Sequence, residues 1–227
     1  MNSGEMKVDR SSTQWNPKVL DEYLAPSISK FTSAKILSIE DKYPESKHWI
    51  QNHFLNSVFT RSYKKEIRPT VVQCLRRASA AFRYYHEAKK ITEEYLTEND
   101  IHRPKSRVYY QAVDCWEAFF LQSQIFIDAY NKIVGYTKNG ITAFKSGDGS
   151  KKQRLYDIAN CIKHGSSPHE AEEWKENWTP LWLANDGFRS FKYNLSFDEA
   201  CELLDSIAQW ANNIQNPSAD SSNLQDD

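Results

Sequence analysis

Apolar residues recur at helical spacing over most of this chain. From Pro69, "PTVVQCLRRASAAFRYYHEAKKITEEYL" places Val71, Cys74, Leu75, Ala78, Ala81, Phe82, Tyr85 and Ala88 three or four residues apart. That spacing predicts one long amphipathic helix, ending near Leu96. A second long stripe runs through Val108, Tyr109, Ala112, Val113, Trp116, Phe119, Phe120, Phe126, Ile127, Tyr130 and Val134, with Gly135 suited to the position just past its C-terminus. Asp114, Glu117, Gln124, Asp128 and Asn131 fall on its other faces. A shorter helix is expected over 150–164, its core stripe made of Leu155, Ile158, Ala159 and Ile162.

After "HEAEEWKENW", two aromatic-rich runs flank Asn185-Asp186-Gly187. Asp-Gly between such runs predicts a β-hairpin, here over 180–195. "SFDE" then opens a last helix: Ser196 can cap its N-terminus while Glu199 reaches back, a capping box. The expected fold is mainly α, an up-down helical bundle with one β-hairpin before the C-terminal helix. Residues 69–214 form that bundle. Residues 15–68, broken by Pro26 and Pro44, form an N-terminal extension of two or three short helices. The polar stretch 1–14 and the acidic stretch 215–227 lack periodicity and are expected to be disordered tails.

Composition sharpens this picture in three ways. Only 7 Gly and 8 Pro occur in 227 residues, which favours long helices over many turns. Aromatic residues make up 13% of a chain whose mean hydropathy is −0.72, so a sizeable core is feasible despite the polarity. The 29 basic and 30 acidic residues nearly cancel; any contact with RNA must come from a local patch. Arg76, Arg77, Arg83, Lys89 and Lys90 make the outer face of the first long helix basic, either as a solvated surface or as a binding face. Cys74, Cys115, Cys161 and Cys201 are too scattered for a disulfide framework. The N-terminal stretch has no apolar signal region, and a cytoplasmic protein with no membrane span is expected.

Candidate chemistry concentrates in "RLYDIANCIKHGSSP". On a helix, Asp157, Asn160 and His164 form a polar stripe beside the apolar one, and Gly165 and Pro168 end the helix just after His164. An imidazole next to Lys163 has the parts for acting on RNA: a general acid or base for the ribose hydroxyl, and a cation for the phosphoryl charge. A lone histidine after an asparagine and a lysine is more often a hydrogen-bonding helix end. Cys161, His164 and His169 lack a fourth ligand at zinc spacing, so neither metal nor cofactor is expected. Trp182, Phe188, Phe191 and Tyr193 of the hairpin either close the core or offer a partner surface.

The long helix at 106–135, the loop after it and "RLYDIANCIKHGSSP" together resemble the core of the HEPN superfamily. The similarity in helix order covers roughly residues 70–212. These small helical proteins occur in toxin–antitoxin and phage-defence systems and in RNA-processing enzymes. Their motif is an arginine, usually a polar residue, three to five more residues and a histidine. Asn160 and His164 match the polar and histidine positions, and Ala159 stands at the arginine. The resemblance therefore implies a non-catalytic protein that binds RNA or a protein partner such as an antitoxin, as a homodimer, in a defence or stress system. Arg154, Asp157, Asn160, Lys163 and His164 would line its pocket. The alternatives are an active metal-independent endoribonuclease using His164, with a cation from Arg154, Arg107 or a second protomer, and a helical scaffold in which His164 is structural. Arg154 lies too early for the motif and about 80° round the helix from His164.

Overall fold

The structure is a computed structural model that describes residues 16–60, 63–98, 100, 104–137, 147–164 and 179–215. Among these the chain is mainly helical: α1 (Pro17–Tyr23), α2 (Trp49–Thr60), α3 (Arg68–Glu98), α4 (Ser106–Thr137), α5 (Lys151–His164) and α6 (Phe197–Gln215). A small sheet precedes α6. No described helix is long and apolar enough to cross a membrane.

The expected apolar stripe of α3 is buried in full, from Val71 to Ala88. It lies antiparallel along α4: the Cys74 thiol meets the Phe126 carbonyl at one end of the pair, and Trp116 Nε1 donates to Thr92 Oγ1 (3.0 Å) toward the other. Trp116 is the hub. Its ring meets Tyr85 of α3 (5.3 Å), Phe188 of the sheet (4.6 Å) and Phe197 of α6 (5.9 Å), mostly edge to face, the arrangement the ring quadrupoles favour.

Two boundaries differ from the sequence pattern. Gly135 lies inside α4, which continues to Thr137. A glycine in a helix costs only about 1 kcal/mol, so without a proline to block the next turn the helix runs on. Gln215, placed by the pattern in the acidic tail, is the buried last residue of α6. The remainder of both tails and "GSSPHEAEEWKENW" lie outside the described residues.

The sheet contains the expected hairpin and adds a third strand. Strands β1 (Trp182–Ala184), β2 (Gly187–Ser190) and β3 (Tyr193–Ser196) form an antiparallel meander in the order β1-β2-β3. Asn185 and Asp186 make the first turn, as the Asp-Gly signal indicated. The second turn, Phe191-Lys192, carries no Gly, Asn or Pro, and Phe191 takes the left-handed conformation (φ 49°). Nothing in its residue types announced that turn. The capping box forms as expected: Glu199 N–H donates to Ser196 Oγ and Ser196 N–H to Glu199 Oε2, both at 3.0 Å.

The described residues of 16–60 and 63–67 contribute to the core of the bundle. Leu20, Ile28, Phe31, Ile39 and Trp49 belong to the same core as α3, α4 and α6. Phe31 stacks on Tyr95 (5.8 Å), and Trp49 Nε1 donates to Asn212 Oδ1 of α6 (2.7 Å).

Gly187 is where the meander is most sensitive. A Cβ there would stand 2.2 Å from the Leu195 carbonyl oxygen, and its φ is +153°. Gly187→Ala is expected to destabilise the protein by at least about 1–3 kcal/mol, read as a lower urea midpoint at unchanged slope.

Candidate functional site

α5 repeats the stripes of its sequence. Leu155, Ile158 and Ala159 are buried, Asp157 and Asn160 half-buried, and Lys163 and His164 exposed in the last turn. What each polar side chain touches decides what the helix can do.

The polar stripe is largely spent on holding α5 in place. Gln124 of α4, only 1% exposed, donates from Nε2 to Asn160 Oδ1 at 3.0 Å. Asp157 accepts from Gln153 Nε2 (2.8 Å), and Gln153 Oε1 in turn accepts the Gly147 N–H (3.2 Å). The Asn160 oxygen gives the buried Gln124 Nε2 a partner it would otherwise lack.

Arg154 is committed elsewhere. Its guanidinium forms a two-pronged pair with Glu199, the capping residue of α6, and Nη1 also donates to the Asn194 carbonyl (3.0 Å). A planar fork held on both prongs by one carboxylate is not available to a phosphate. Burial alone would raise the Glu199 carboxyl. The Arg154 hydrogen bond, the Ser196 N–H and the Arg154 charge outweigh it and hold the group below its usual range.

Ala159, at the motif's arginine position, is 0% exposed. Its Cβ points into the core, so position 159 does not present a side chain beside His164. Arg107 sits in the first turn of α4, 17 residues before Gln124 and hence about 26 Å along the helix from the Asn160 contact. Of the expected residues, the fold thus brings Asn160, Lys163 and His164 to one end of α5 and turns Arg154 toward α6. Within the described residues His164 makes no hydrogen bond or ion pair.

No family model, curated protein or solved structure matches this chain.

Two acidic groups on the same side of α4 are perturbed, and Asp128 is the one that feels α5. Asp128 has its carboxyl raised by burial, with Lys163 and Lys132 partly offsetting the effect. Glu117 is pushed up to about 7, by burial and then by Asp114. Glu117, Gln124 and Asp128 share one face of α4, at i, i+7 and i+11. The spacing was visible in the sequence; that this face is covered was not. Among the described residues no cluster of His, Cys, Asp and Glu could hold a metal ion, and His169 lies outside them. None of the four cysteines is in a disulfide, and burial raises the thiols of Cys74, Cys115 and Cys201, which disfavours the reactive thiolate.

Three outcomes are expected. In a double-mutant cycle, Arg154→Met and Glu199→Gln should couple by about 0.5–3 kcal/mol. Because the folded Glu199 pKa is depressed, its stabilisation is present above the ordinary value of 4.5 and is lost as pH falls through the folded pKa. Urea titrations below pH 4.5 should show that loss in the wild type and less of it in Arg154→Met. Glu117 has the opposite sign. Its unfolded carboxyl ionises near 4.5 and its folded one near 7, so stability falls between those values and levels off above. Glu117→Gln should flatten that decline and be more stable than wild type at pH 8, by on the order of 1 kcal/mol.

Proposed function

We propose that this chain is a non-catalytic, HEPN-like RNA-binding protein. One observation carries the non-catalytic part: no arginine of α5 is placed to serve His164. Position 159 is an alanine facing the core, and Arg154 is held on both prongs by Glu199. A histidine alone can move a proton, but a phosphoryl group under attack needs a positioned cation. Lys163, on a flexible stem in the same exposed turn, supplies only a point charge without the bidentate fork of an arginine. RNA as the ligand rests on the likeness of "ANCIKHG" and its helical setting to the HEPN core, and on exposed cations that a net charge of −1 leaves as local patches.

Incubation of the protein with labelled single-stranded RNA in EDTA tests both parts. The expected result is intact RNA and a salt-sensitive complex. Cleavage that disappears in His164→Ala would overturn the non-catalytic reading, and the absence of any complex would overturn RNA as the ligand. Restoring the motif should not restore chemistry: Ala159→Arg is expected to cost about 1–3 kcal/mol or more by overpacking the core, and to leave RNA uncut.

A further inference from the structure

The basic face of α3 is not uniform. Lys89 is neutralised by Glu93 one turn on (2.6 Å). Arg76, Arg77 and Arg83 are different. They line a cleft of about 290 Å³ with Ile50, Ser79, Ala80, Tyr84 and Gln122, and no carboxylate is among the lining residues. Elsewhere Arg154 holds the Glu199 carboxylate with both prongs, and Arg189 donates from Nη2 to both carboxylate oxygens of Asp186; none of the three cleft arginines is ion-paired among the described residues.

The cleft is also partly built. Arg77 Nη1 donates to Gln122 Oε1 across the α3–α4 seam at 2.8 Å, which fixes one guanidinium and leaves its remaining N–H groups unassigned. The Arg83 guanidinium lies over the Tyr84 ring at 5.0 Å, so stacking restrains it without using its hydrogen-bond donors. Arg76 and Arg83 are seven residues apart on one face of α3, about 10 Å along the axis. Ile50, 40% exposed, gives one wall an apolar contact surface.

We infer that this cleft, rather than the His164 end of α5, binds the phosphodiester backbone of single-stranded RNA; the inference rests on the RNA-binding reading above. Guanidinium forks match phosphate oxygens two at a time. A cleft of about 290 Å³ with its cations spaced along one helix suits a single strand better than the broad face of a duplex, and guanidinium planes and Tyr84 offer surfaces on which unpaired bases stack. The protein's near-zero net charge makes this concentration of unpaired cations the feature that a polyanion would find.

Fluorescence polarisation with a labelled oligouridylate of about 16 nucleotides, measured across a salt series, tests the assignment. Arg76→Gln/Arg83→Gln is expected to weaken binding by roughly tenfold or more, and to reduce the slope of log K against log salt by about 1.4, the loss of two phosphate contacts on a single strand. Its melting temperature should stay at the wild-type value, since Arg76 and Arg83 are exposed. Lys163→Gln/His164→Gln is the competing arm and should weaken binding and lower the slope by less than the arginine variant does. If that second variant loses binding and the arginine variant keeps both, the cleft assignment is overturned while the RNA-binding reading stands. If the wild type binds no RNA, both fall. Binding of the wild type to phosphatidylserine vesicles in place of the oligonucleotide would overturn RNA as the occupant and make an anionic membrane surface the ligand of the cleft.

Discussion

The rest of the fold depends on Trp116. Its indole packs against rings from α3, the sheet and α6, and its one polar atom is satisfied inside the core by Thr92, which itself bonds back to the Ala88 carbonyl. A large ring filling the junction of several elements fixes their relative positions, because close-packed interiors leave no other arrangement of the same volume. The meander is seated through Phe188, which meets Trp116, Phe120 and Phe197 within about 5 Å each. The start of α6 is set by the same contacts.

From that junction the state of α5 follows. Once β3 and the first turn of α6 are fixed, the Asn194 carbonyl and the Glu199 carboxylate stand where Arg154 can reach both. Gln124, buried on α4, takes Asn160. The helix is thus tied on two sides by polar groups that resemble, in sequence, the furniture of an active site. The ties are the sort that stabilise a docking geometry: partly buried, hydrogen-bonded and, in Arg154–Glu199, geometrically matched. Only the last turn, with Lys163 and His164, remains exposed.

The same logic separates two kinds of arginine. Where a guanidinium lies beside the sheet, as in Arg154 and Arg189, a carboxylate from α6 or the β1–β2 turn meets it. Along α3 no such partner meets Arg76, Arg77 or Arg83, and Gln122 and Tyr84 restrain two of them without neutralising them. Unpaired positive charge gathered in one concave place costs self-repulsion. A bound polyanion would relieve it.

By itself, the sequence determined the elements. The 3.6-residue period of α3, α4 and α5, the Asp-Gly turn and the Ser196–Glu199 capping box are local, and local spacing and local hydrogen bonds suffice to specify them. Even the inward face of Ala159 was written in the stripe it shares with Leu155 and Ile158. Tertiary structure alone decided the partners. Arg154 and Glu199 are 45 residues apart, Gln124 and Asn160 36, and Arg77 and Gln122 45. Pairing over such distances depends on how helices pack, not on their periodicity. The turn at Phe191 and the contribution of residues 16–60 and 63–67 to the core escaped local reading for the same reason: a left-handed phenylalanine and a short, broken helix gain their stability from what they touch, and nothing adjacent in the chain records it.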